Sequence, residues 1–121
     1  MSYVSQTSIN FIHELIRNFP EFKSIYQEHI QDNDEILPHI LLADIARWII
    51  HEFKTDGASA EVRRLLNYLE TSYNHHDSDI EELIHVSLLE YIYDLDFHGE
   101  SITNYLGDSL KSQVSLINGE S

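Results

Sequence analysis

Apolar side chains recur every three or four residues along almost the whole chain, which is the period of an α-helix. Ile9, Ile12, Leu15, Ile16 and Phe19 form a first stripe. Pro20 suits the first turn of a second helix, with Phe22, Ile25, Tyr26 and Ile30 as its inner face. The polar run Gln31 to Glu35 breaks the pattern, and Pro38 opens a third helix reaching about Phe53. That helix carries Ile40, Leu41, Ile45, Trp48, Ile49 and Phe53, a stripe wide enough to be central.

Thr55, Asp56 and Gly57 read as the turn that stops it. Ser59 is placed to cap a fourth helix, whose stripe is Val62, Leu65, Leu66, Leu69 and Tyr73. After the break at Asn74 to Asp77, Ser78 and Glu81 have the spacing of a capping box. They start a fifth helix faced by Ile80, Leu83, Ile84, Leu88, Tyr91, Ile92 and Leu95. Beyond Gly99 come a short stripe (Ile102, Tyr105, Leu106) and an amphipathic end (Leu110, Val114, Ile117). No stretch alternates at period two. The pattern predicts one all-α domain over residues 1–121, an antiparallel bundle of five main helices plus one or two short C-terminal ones.

Composition sharpens this picture. With 121 residues, a chain can bury roughly two-thirds of its unfolded surface, and 42% hydrophobic content supplies the core. Cysteine is absent, which excludes disulfides, thiolate metal sites and a cysteine nucleophile. The start MSYVSQTSINF has no basic n-region followed by an unbroken apolar stretch. The longest apolar run, Ile40 to Ala43, is far below membrane-spanning length. A cytoplasmic protein is the expectation.

Several patterns invite chemistry. Glu82 and His85 make an E-x-x-H step, but a di-iron bundle needs that step twice, with two further glutamates. His51, His76–Asp77, and Asp94 or Asp96 follow the order of a metal-dependent phosphohydrolase. His76 and Asp77 fall in a loop before a helix start, where polar residues are ordinary. Gly107-Asp108-Ser109-Leu110 is similar to the serine motif of acyl carrier proteins, yet lies too near the C-terminus, where Asp108 reads as a helix cap. Trp48, Tyr26, Tyr73 and Tyr91 sit on helical stripes and read as core. No catalytic residue, metal ligand or cofactor is expected.

Charge is the unusual feature. Twenty-one acidic residues against seven basic ones leave a net charge of −14. A surface this negative repels nucleic acid and anionic membranes alike. Solubility and helix capping account for individual carboxylates, but self-repulsion on this scale destabilises a compact chain. Capture of a basic protein partner makes use of the same field, since complementary charge raises the association rate. Asp32, Asp34, Glu35, Asp77, Asp79, Glu81 and Glu82 gather at helix ends and are the candidate binding residues. Asp44 and Arg47, three apart on the most apolar helix, read as an internal pair.

Three stretches also resemble a known family: YQEHIQDNDEILPHILLADIARWI (Tyr26 to Ile49), EVRRLLNYLE (Glu61 to Glu70) and DIEELIHVSLLEYI (Asp79 to Ile92). They are similar to small helical bacterial immunity proteins of contact-dependent and other polymorphic toxin systems. The most specific pieces are Leu37-Pro38-His39, the D-x-x-R-W step from Asp44 to Trp48, and Val86 to Glu90. The resemblance covers somewhat under half of the chain. It implies a non-enzymatic protein that neutralises a cognate toxin domain, a basic nuclease for a chain of this charge, by occluding its active or substrate-binding surface. The alternative from a different class is an acidic helical adaptor that binds a peptide or helix in a groove. The sequence leaves oligomeric state open.

Overall fold

The computed structural model describes residues 4–119; Met1, Ser2 and Tyr3 of the N-terminal reading, and Glu120 and Ser121, lie outside them. The domain is all-α. Helix α1 spans Gln6–Asn18, and Ser5 caps it by accepting the Ser8 N–H at 3.0 Å. A 3-10 turn at Pro20–Phe22 leads into α2 (Lys23–Asn33). Pro38 occupies the first turn of α3 (Pro38–Asp56), the longest helix. Ser59 caps α4 (Ala60–Tyr73) as its position predicts, accepting the Val62 N–H.

The fifth predicted helix is a continuous rod with an interruption of pitch. It is α-helical as α5 (Ser78–Ile84), π-helical over His85–Leu89, and α-helical again as α6 (Glu90–Ile92). Its start corrects the expected capping box. Asp77 is the cap, with Oδ1 accepting the N–H groups of Asp79 and Ile80 at 3.0 and 3.2 Å, and Ser78 is already helical. Aspartate and serine cap equally well, so adjacent candidates are not separable from sequence.

A two-residue hairpin follows, β1 (Asp96–Phe97) paired antiparallel with β2 (Glu100–Ser101). Both turn residues, His98 and Gly99, have positive φ, as the tight type I′ hairpin turn requires. A 3-10 turn (Ile102–Tyr105) and α7 (Asp108–Ile117) complete the fold.

Helix α3 packs against α1, α2, α4, α5 and the π-helical stretch. Leu41, Ile45, Ile49 and Phe53 are its buried face, part of one core cluster with Ile12 and Leu15, Leu65 and Leu69, and Leu83 and Leu88. Burying each such side chain contributes about 1.5–3 kcal/mol. Trp48 packs edge-on against Phe22 with centroids 5.0 Å apart, as a core role predicts. Two expected core residues face outward instead: Ile40 and Tyr91 are about half exposed. On α3 the buried run is Leu41, Leu42 and Ala43, so Ile40, one residue earlier, falls on the outward side of the helix. The Asp44–Arg47 ion pair forms, but on the surface, not internally.

Candidate functional site

The seven acidic candidates separate into groups. Asp79 and Glu82, one turn apart on α5, line a groove with Pro38, His39 and the chain before α1. Asp32, in the last turn of α2, lines a second groove with Ile25, Glu28, His29, Ile40 and Asp44. Asp34 ends α2 in a left-handed conformation (φ 60°), and Glu35 follows it, exposed, in the connection to α3. Asp77 is engaged in capping α5. Glu81 turns toward α4, its carboxylate 3.9 Å from His76 and close enough to Tyr73 to help burial raise that phenol's pKa. The helix ends therefore do not make one acidic patch of seven.

A third groove joins the first two. It is lined by His39, Ile40, Ala43, Asp44, Arg47, Val86, Ser87 and Tyr91, sharing His39 with the first and Ile40 and Asp44 with the second. The result is one band across α2, α3 and the rod from α5 to α6. Ile40, Val86 and Tyr91 are 49%, 44% and 52% exposed. Three such residues together are a patch, unlike the isolated exposed Leu116 on α7. Among the described residues, Asp32, Asp79 and Glu82 form no ion pair. Arg47 is the one basic side chain lining any of the three grooves apart from histidine.

Local chemistry holds this band in place. His29 is 3% exposed, and its Nε2 accepts the Leu37 N–H at 2.9 Å, closing the α2–α3 connection. His39 shares a short hydrogen bond with buried Ser87, linking the start of α3 to the π-helical stretch. Within that stretch the Glu90 N–H reaches back to the His85 carbonyl, a five-residue step. Val86 and Tyr91 are also five apart. In an α-helix they would diverge by about 140°, whereas π-helical winding sets residues at this spacing nearly above one another.

The other chemical patterns disperse. His51 is exposed on α3, His76 has positive φ in a turn, and Asp96 accepts the Gly99 N–H inside the hairpin. Among the described residues no three histidine or carboxylate side chains converge on a point. Ser109 is tied down: its hydroxyl donates to Asn74 and its N–H to Glu70. Asp108 is not the cap of α7, because Glu70 of α4 performs that task.

Sequence reasoning missed the apolar half of the band, although two signals exist. Val86 lies off the stripe of Leu83, Ile84 and Leu88, and Ile40 is one of four adjacent apolar residues. The π-helical alignment of Tyr91 has no such signal.

The family model described as Domain of unknown function (DUF7674) matches residues 12–117, from mid-α1 to the last residue of α7. No curated protein and no solved structure matches the chain.

Proposed function

We propose that this chain, which belongs to the Domain of unknown function (DUF7674) family, is an immunity protein that binds a basic toxin domain and blocks its working surface. One observation carries the reading: unpaired carboxylates border exposed apolar residues on a single band of a strongly negative protein. Such a surface has the two parts a fast and durable inhibitor needs. Its field raises association toward about 10⁸–10⁹ M⁻¹s⁻¹ at low salt, against about 10⁵–10⁶ without steering. Its apolar centre slows dissociation once water is excluded.

The mechanism is occlusion. A nuclease cleft is basic because it must hold phosphates, and the acidic band presents carboxylates where phosphates would lie. The protein acts in the cytoplasm, where such a toxin meets its substrate. The similarity of Tyr26 to Ile49 and Asp79 to Ile92 to immunity proteins supports the role, and these stretches contain most of the band.

Tagged protein expressed in its native host, with its neighbouring genes active, tests this. The expected result is one stoichiometric basic protein, recovered at low salt and lost at high salt. That protein must be toxic alone and harmless when co-expressed with this chain. Diverse partners, none, or a partner without toxicity would transfer the band to an adaptor role.

A further inference from the structure

The site at Ile40, Val86 and Tyr91 lies between two helical segments, α3 and the π-helical stretch. We infer that it seats one amphipathic helix of a basic partner, with the apolar ridge of that helix against these three residues and its lysines or arginines facing Asp44 and Asp32. The inference rests on the immunity reading for the partner's identity, but its geometry is independent of toxicity.

Elimination among recognition modes supports a helix. The described residues offer no sheet edge longer than the two-residue hairpin strands, so strand addition has no template. A polyproline groove is lined by several large aromatic rings, whereas Tyr91 is the one Phe, Tyr or Trp side chain lining this groove. A phosphorylated or acidic segment is repelled by the net charge of −14. The same charge opposes a second copy of this chain. A shallow trough between helices, with apolar side chains at its centre and carboxylates in both adjoining grooves, matches a helix that is apolar on one face and basic beside it.

The π-helical winding builds the site. It brings Tyr91 toward the side occupied by Val86, and the His39–Ser87 hydrogen bond fixes that stretch to α3 beside Ile40. The Asp44–Arg47 pair does not close the site. It is an exposed pair one helical turn apart, of the kind that contributes little once both partners are solvated. Arg47 is free to swing aside for an incoming cation.

Three synthetic helical peptides test this: one with a leucine ridge flanked by lysines, one with the ridge flanked by glutamates, and one with lysines but serines in place of the ridge. Binding is followed by anisotropy and by NMR shifts of the full chain. The lysine–leucine peptide is expected to bind, with shifts centred on Ile40, Val86 and Tyr91. The other two should bind at least about tenfold more weakly. I40S and Y91S change exposed residues, so both should keep the circular dichroism of the parent while weakening the peptide by about tenfold.

Equal binding by the lysine–serine or glutamate–leucine peptide overturns the inference, as do shifts elsewhere or unchanged affinity of both variants. Concentration-dependent self-association through the same residues assigns the site to a second copy and also overturns it. Failure here, with a basic toxin still recovered from the host, removes the groove and leaves the immunity reading. Success here without a toxin does the reverse.

Discussion

Glu70 of α4 holds the first turn of α7 from across the fold, its Oε1 accepting the backbone N–H of Leu110 at 3.0 Å. Its second oxygen accepts the Ser109 N–H at 3.1 Å and the Asn74 side-chain amide at 2.8 Å. This replaces the local cap that Gly107 cannot provide, and places a carboxylate at the positive end of α7. Burial pushes the Glu70 pKa up, but the hydrogen bonds from Leu110, Asn74 and Ser109 outweigh it and hold the group below the ordinary glutamate range.

The cap sets a pH dependence. A carboxylate with a depressed folded-state pKa contributes stability that is present above the unfolded value and lost as pH falls through the folded one. Glu70→Ala should therefore cost about 1–2 kcal/mol near neutrality. The difference from the parent should shrink as pH falls below the ordinary glutamate range and through the lowered folded-state pKa of Glu70, read by urea unfolding at each pH. A constant difference down to acid pH would show that the carboxylate charge is not what holds α7.

Gly107 is required by the same contact. A Cβ at this position would overlap Glu70 Cγ and Cδ, so Gly107→Ala must displace the cap. The two substitutions act on one interaction and should not add. We expect the double variant to be about as stable as Glu70→Ala alone. Full additivity would mean that Gly107 matters for another reason.

Gly57 couples the end of α3 to the hairpin. Its φ is +64°, and a Cβ there would lie 2.7 Å from Phe97 Cδ1. Phe97 in turn packs on Phe53 at 6.3 Å between centroids. Gly57→Ala should cost about 1–3 kcal/mol from backbone strain, and more from the overlap. Gly57→Ala in a Phe97→Ala background should be milder, because only the strain is left. Equal cost in both backgrounds would place the whole effect in the backbone.

These contacts explain what was legible in the sequence. Helix count, the stops at Gly57 and Asn74, and the Ser59 cap are local properties, and local spacing reports them. Glu70 and Leu110 are 40 residues apart, so nothing near Asp108 announces that its helix is capped from elsewhere. The hairpin is too short to establish an alternation. The stripes place Ile40 and Tyr91 inward because a stripe defines a face only to within one residue, and π-helical winding shifts the phase within the fifth helix. The acidic candidates sit at helix ends as expected, but a helix end has several sides: Asp77 turns to its own backbone, Glu81 toward Tyr73, and Asp79 and Glu82 toward His39.

His29 predicts a tautomer. Because Nε2 accepts the Leu37 N–H at 2.9 Å, the neutral ring carries its proton on Nδ1, and the Asn33 amide, 3.4 Å from Nδ1, donates to the His29 carbonyl instead. Nitrogen-15 NMR of the ring should report this form. Removing the acceptor leaves a backbone N–H without its partner, so His29→Ala should cost about 1–3 kcal/mol and speed exchange of the Leu37 amide. Protonation found on Nε2 would contradict the bond and release the α2–α3 connection from this role.

The division of the acidic residues gives the sharpest test of the binding face. Asp32, Asp79 and Glu82 border the band and form no ion pair among the described residues, so in the proposed function they act through the field they project. Neutralising them as D32N, D79N and E82Q together should slow association with the recovered basic partner by about tenfold at low salt. It should also flatten the salt dependence and leave stability nearly unchanged. Asp77 acts through the two N–H groups it caps, so D77A should behave in the opposite way. It should lose about 0.5–2 kcal/mol of stability while the association rate per folded molecule changes little. Stopped-flow association over a salt series, beside urea unfolding of the same variants, separates the two. If D77A and the triple variant slow association equally, steering comes from total charge, and the band has no special claim to the partner.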